Sequence, residues 1–180
     1  MNRCKWVNLK NELYVKYHDE EWGVPSYDDR YLFEMLVLES FQAGLSWECV
    51  LNKREAFRKA YDNFEISRVS EYDDEKIYGL MNNELIIRNK LKILASINNA
   101  KIFIQIQKEY GTFSNYIWHF TNGKIVKNID DNFKTTSSLS DEISMDLKKR
   151  GMKFVGSTII YSYLQAIGVI NDHETKCDLY

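Results

Sequence analysis

Proline is almost absent from this chain, and glycine is sparse: one proline and eight glycines in 180 residues leave little to interrupt a helix. No run of eighteen apolar residues occurs, which excludes a membrane-spanning helix. The opening residues Met-Asn-Arg-Cys-Lys-Trp lack the apolar stretch of a secretory signal, so the expected location is cytoplasmic, with no membrane partner. Three cysteines are too few, and odd in number, for a disulfide framework; a metal or free thiols fit better. A net charge of −2 excludes a protein that grips nucleic acid by bulk electrostatics, so any such contact needs a local patch.

What is present is an ordinary globular share of apolar residues, 44%, enough for one substantial core in a single unit. Aromatics are in excess at 14%, with four Trp and twelve Tyr; they can fill a core or build stacking pockets for flat ligands. No internal repeat, low-complexity tract or linker divides the chain, and nothing points to an oligomer, so a monomer is expected.

The segment Met1 to Gly23 reads as irregular and aromatic, with Trp6, Tyr14, Tyr17 and Trp22 alternating with Cys4 and His18. An amphipathic helix is predicted from Ser26, capped together with Asp29, to about Gly44, with Leu32, Met35 and Leu36 on its apolar face. Ser46 caps the next helix, whose Trp47, Val50, Leu51, Arg54 and Tyr61 share a face. Further helices are expected over Asp73–Met81, Ile86–Tyr110, Ser114–Phe120, Ser140–Arg150 and from the Met152–Gly156 turn to Gly168. Residues 121–139 read as the longest loop. About eight helices and no strand periodicity make the class all-α.

At 100° per residue Glu39 falls within the apolar arc of its helix. A carboxylate buried there without a partner costs several kcal/mol. It either bends to solvent or pairs with an arginine, or it faces a cavity. A second signal is the hairpin between Ser140 and Gly168, where unpaired N–H groups at Gly156, Ser157 and Thr158 open a helix beside Lys153 and the Lys148–Arg150 run. That arrangement suits a phosphate, and equally a solvated basic helix end. Cys4 and His18 lie near one end, His173 and Cys177 near the other, the latter pair at i, i+4. Spacing alone fits zinc or scattered side chains. Cys49 and His119 have no evident partner and are expected in or near the core.

The block Lys153-Phe154-Val155-Gly156 resembles the hairpin of the helix-hairpin-helix DNA glycosylases, and Leu85 to Ile93 resembles their upstream element. Together with Tyr17 to Pro25, Gln42 to Trp47 and Asn171-Asp172-His173, it makes nearly the whole chain resemble the DNA-3-methyladenine glycosylase I family. The resemblance implies a helix-hairpin-helix architecture and a DNA repair enzyme. Such an enzyme flips 3-methyladenine out of double-stranded alkylated DNA and hydrolyses its N-glycosidic bond, leaving an abasic site. It implies Glu39 as the carboxylate acting on the base, and Tyr17, Trp47, Tyr14, Trp22 and Trp6 as its aromatic pocket. Two or three of these, Tyr17 and Trp47 first, are expected to touch the ligand. Gln42, Gly44 and Leu45 form the turn that enters DNA, with Leu45 as wedge, while Lys153, Gly156, Ser157 and Thr158 take a phosphate.

The same resemblance implies a structural Cys2His2 zinc site of Cys4, His18, His173 and Cys177 joining the end segments, about 1–25 and 169–180, with no organic cofactor. There are departures. Thr158 stands where the superfamily's Schiff-base lysine would be, so strand cleavage should be absent. Asn171 falls at the superfamily's catalytic aspartate, with Asp172 beside it, and Phe154 replaces the hairpin's first glycine. The competing readings are a non-catalytic binder of damaged DNA or modified bases, and a zinc hydrolase, which a four-protein-ligand site disfavours.

Overall fold

Short polar side chains decide where the helices begin. The computed structural model describes residues 1–129 and 132–180. In it, Asn11 accepts from the N–H groups of Leu13 and Tyr14 at the head of α1 (Glu12–Glu20), a helix inside the segment expected to be irregular. No apolar stripe announces α1; its cap and its packing against later elements make it. Asp28, rather than Ser26, caps α2 (Asp29–Gln42), by accepting from the Tyr31 N–H. Asp29 is drawn away to the start of a later helix, where it accepts from the N–H groups of Phe113 and Ser114.

Ser46 caps α3 (Trp47–Ala60) as expected. A 3-10 turn at Asp62–Phe64, the short α4 (Ile66–Ser70) and α5 (Asp74–Asn82) follow. The long α6 (Lys90–Tyr110) starts four residues later than its apolar pattern suggests, because Asn89 caps it on the Lys92 N–H. Thr112, not Ser114, caps α7 (Phe113–His119). Ser137 and Ser140 form a reciprocal capping box that starts α8 (Ser138–Lys149) two residues early. α9 (Ser157–Ala166) completes the helical hairpin.

Two strands of two residues each, β1 (Val126–Lys127) and β2 (Ile170–Asn171), pair in parallel, with Val126 opposite Ile170. β1 interrupts the segment read as loop; pairs this short leave no periodicity to detect. The all-α class holds, and no helix among the described residues is long and apolar enough to cross a membrane.

α2 is the centre of the packing. Every residue from Leu32 to Phe41 is buried, and α3, α6, α7 and α9 all pack on it. A one-sided amphipathic helix is therefore not what forms: Phe33, Val37 and Phe41 are enclosed as fully as Leu32 and Leu36. Gly168 ends α9 at φ +74, and a Cβ there would lie 2.2 Å from the Val24 carbonyl carbon, so only glycine lets residues 24–25 cross this point.

Candidate functional site

Two carboxylates are buried in α2, and they differ. Glu34 accepts from Arg54 Nε (2.5 Å) and Arg58 Nε (2.9 Å), and Arg54 in turn donates to Glu21 (2.7 Å). That is a paired, structural carboxylate. Glu39 is only 3% exposed, and its Oε2 has no hydrogen-bond partner. Burial alone pushes its carboxyl up to about 8. The readings in which Glu39 reaches solvent or an arginine are thereby set aside. It faces a cavity of about 290 Å³.

All five aromatics singled out from the sequence, Trp6, Tyr14, Tyr17, Trp22 and Trp47, line that cavity. The rings of Tyr17 and Trp47 lie 5.2 Å apart, and Trp6 meets Trp22 edge-on at 4.7 Å. The indole Nε1 of Trp47 is a second buried polar atom without a partner. A buried acceptor and a buried donor, both orphaned in an aromatic-walled hole, suit a flat ligand with N–H groups and ring nitrogens. The Tyr14 and Tyr17 hydroxyls are raised by burial first and further by the Glu39 charge, which places that carboxylate within electrostatic reach of both.

Gln42 and Thr158 also line the cavity, so the end of α2 and the first turn of α9 meet at it. Sequence reasoning missed Phe133, Lys134, Thr135, Tyr161, Ser162 and Gln165 on the same wall. The last three share a helical face with Thr158 and could have been found by that spacing. The first three sit in a segment without periodicity. Asn171 and Asp172 do not reach this cavity. Asp172 Oδ2 accepts from Tyr161 (3.0 Å) and Gln165 (2.5 Å), bracing the wall from behind.

The turn after α2 is exposed at Gly44 and Leu45, with Gly44 at φ +83. In the α8–α9 hairpin, buried side chains satisfy the turn's backbone: Asn99 exchanges two 2.8 Å bonds with Lys153, and Ser144 donates to Val155 O (2.7 Å). Phe154 adopts φ +54, the left-handed conformation that a glycine would supply, at a cost of about 1–2 kcal/mol. Gly156 caps α9 with no side chain, a Cβ there would meet open space, and no side chain caps the first N–H groups of α9.

Lys153 projects to solvent. The Ser157 hydroxyl turns inward to Ser140 (2.9 Å). Arg150 adds no free charge, because it pairs with Glu109 and Asp146. His119 is exposed rather than buried, and Cys49 is half-buried.

Cys4, His18, His173 and Cys177 are all buried, with one ligand atom from each lying within 4.8 Å of the others. Cys177 Sγ is 3.6 Å from His18 Nε2 and 3.5 Å from His173 Nδ1, which is also 3.5 Å from Cys4 Sγ. The remaining ring nitrogens are held from outside, His18 Nδ1 by Asp19 (2.8 Å) and His173 Nε2 by the Trp22 carbonyl (3.1 Å). Such outer partners fix which nitrogen faces a metal. The group could hold a metal ion.

A model described as methyladenine glycosylase matches residues 6–180. The DNA-3-methyladenine glycosylase 1 of Escherichia coli (strain K12) is 43% identical over 183 residues, spanning 100% of this chain and 97% of its own. A crystal structure of 3-methyladenine DNA glycosylase I aligns with a TM-score of 0.93 at 42% identity, over 98% of each chain. That of Staphylococcus aureus, solved for the basis of 3-methyladenine recognition, aligns at 0.94 with 35% identity, over 99% of this chain and 96% of that one.

Proposed function

The chain belongs to the methyladenine glycosylase family, and on that premise we propose that it excises 3-methyladenine from double-stranded alkylated DNA, leaving an abasic site. The observation that carries the assignment to these residues is the orphaned pair Glu39 Oε2 and Trp47 Nε1 in the aromatic cavity.

Adenine methylated at N3 is cationic while bonded to deoxyribose and leaves neutral. The glycosidic bond breaks with its electron pair passing to the base; water bonds to C1′ and gives up its proton. Because the leaving group is already activated, the protein's task is extrusion and selection. Tyr17 and Trp47, backed by Tyr14, Trp6 and Trp22, offer the stacking faces. Glu39 accepts the base's N–H groups, and a cationic base against it favours the carboxylate over the acid. This differential attraction selects the alkylated base over a neutral one.

Leu45, exposed on the turn beside Gln42 and Gly44, serves as the wedge that fills the vacated stack. The N–H groups of Gly156, Ser157 and Thr158 take a backbone phosphate, with Lys153 nearby. Thr158, at the cavity wall, offers a hydroxyl and no amine, so no Schiff base forms at that position.

Cys4, His18, His173 and Cys177 would hold zinc. A tetrahedral site with Zn–S of about 2.3 Å and Zn–N of about 2.0–2.1 Å separates sulfur from nitrogen by about 3.5 Å, and the corresponding distances are 3.5–3.6 Å. Zinc here supplies structure, since four protein ligands leave no open position. Incubation with methylated duplex DNA tests the reading. Released 3-methyladenine with matching abasic sites and no strand breaks is expected. No released base would leave only the binding-protein reading, and breaks before base treatment would contradict the role given to Thr158.

A further inference from the structure

A lysine in the first turn of a helix opposes the helix dipole, and a buried lysine is rare. Lys92 is both. It sits in the first turn of α6, where the Asn89 cap fixes its N–H (3.1 Å), and the residue is 7% exposed. No carboxylate pairs with it among its hydrogen bonds. Its ammonium donates instead to two backbone carbonyls, Phe41 O (2.8 Å) and Ala43 O (2.6 Å). Those are the last carbonyls of α2, immediately before the exposed Gly44 and Leu45.

α2 needs that help. It has no basic residue in its last turn and ends at Ala43 (φ −48, ψ 114), with no backbone N–H closing the cap. The one further bond here is from the Leu45 N–H to Gln42 O, 2.6 Å. A glycine-based cap would normally satisfy such carbonyls. Here the chain turns sharply outward, and a cation from another helix takes the cap's place.

We propose that Lys92 is a positioning residue for base extrusion: from α6 it clamps the C-terminal carbonyls of α2 and so fixes the Gln42–Leu45 turn that enters DNA. The inference rests on the wedge reading above. Its consequence is specific. Without the clamp the base cavity still forms, because Glu39 lies in the buried interior of α2 and the remaining walls, apart from Gln42 at its rim, come from other segments, while the turn loses its set angle and extrusion slows.

The test uses Lys92→Met, which keeps the stem and removes the donor, and Lys92→Arg, which keeps charge but puts a longer, planar head where the compact ammonium meets both carbonyls. Free 3-methyladenine binding, read from tryptophan fluorescence, should stay within about threefold of wild type. Single-turnover excision from duplex DNA should fall by roughly tenfold or more, and much less when the lesion lies in single-stranded DNA. Adding Lys92→Met to Leu45→Ala should cost little beyond Leu45→Ala alone, since the two act through one turn.

Equal losses on duplex and single-stranded substrate, or multiplicative losses in the double variant, would overturn the proposal. If Lys92→Met does not fold, Lys92→Arg carries the same comparison. Wild-type protein that releases no 3-methyladenine from either substrate would instead defeat the underlying glycosylase reading.

Discussion

Glu34 and Glu39 share one helix and one degree of burial, and their partners separate a structural group from a functional one. Glu34 is neutralised by two arginines; Glu39 lines the cavity with its Oε2 unpartnered. The second is a stability liability with a defined pH signature. Its carboxyl rises from 4.5 to about 8, so below pH 4.5 both folded and unfolded chains are protonated and nothing is lost. Between these values the unfolded chain ionises and the folded one does not, so stability declines as pH rises and levels off above about 8.

One pKa unit corresponds to about 1.4 kcal/mol, which makes the liability a few kcal/mol. Glu39→Gln should remove it. Thermal melts from pH 5 to 8 should show the variant gaining several degrees over wild type as pH rises, while excising 3-methyladenine more slowly. A constant difference across that range would mean that Glu39 is already ionised or partnered. The sequence marked Glu39 by its place in an apolar arc, because periodicity reveals burial. It could not mark Lys92, whose bonds to Phe41 and Ala43 reach about fifty residues along the chain.

At the scale of elements, the capping residues and the long apolar helix were readable because both are local signals. The starts of α2, α7 and α8 moved by a few residues because a neighbouring polar side chain, Asp28, Thr112 or Ser137, supplies the cap, while Asp29 bonds to the start of α7 instead. α1 and the β1–β2 pair escaped because their stability comes from distant partners.

Gly168 was read as a helix stop, and the packing gives it a stronger role. Gly168→Ala would force a Cβ against the Val24–Pro25 backbone at a left-handed φ. It should destabilise by more than about 4 kcal/mol, a range few single substitutions reach. Urea unfolding measures this directly, and a loss under about 1 kcal/mol would show that the crossing relaxes. Gly156→Ala is a contrasting case. The site is open, so stability should barely change, while DNA affinity falls through obstruction of the uncapped N–H groups.

Across the whole molecule, the ends of the chain and the cavity are mechanically joined. Trp22 lies edge-on to His173 at 4.7 Å, and Trp6 packs on His18 at 5.3 Å. The rings that wall the cavity are therefore backed by two histidines of the group that could hold a metal ion. Asn2 and Asp178 add paired bonds between the termini. Removing the metal with a strong chelator, or Cys4→Ser, should lower the melting temperature by on the order of 10 °C. It should also weaken binding of the base, without erasing the helical signal of the core around α2. Unchanged base affinity in metal-free protein would show the two regions to be independent.

The four ligands were legible as residue types, but nothing local in the sequence says that its ends meet. The family resemblance supplied that, and the chain's closure shows it.

The central claim is that the cavity beneath Glu39 is the base site, and free 3-methyladenine tests it without DNA, wedge or hairpin. Titrated against tryptophan fluorescence, the base should quench wild type saturably. Glu39→Gln should bind it at least about tenfold more weakly, the equivalent of about 1.4 kcal/mol. Equal affinity for the two proteins, or no binding to a folded wild type, would contradict the account.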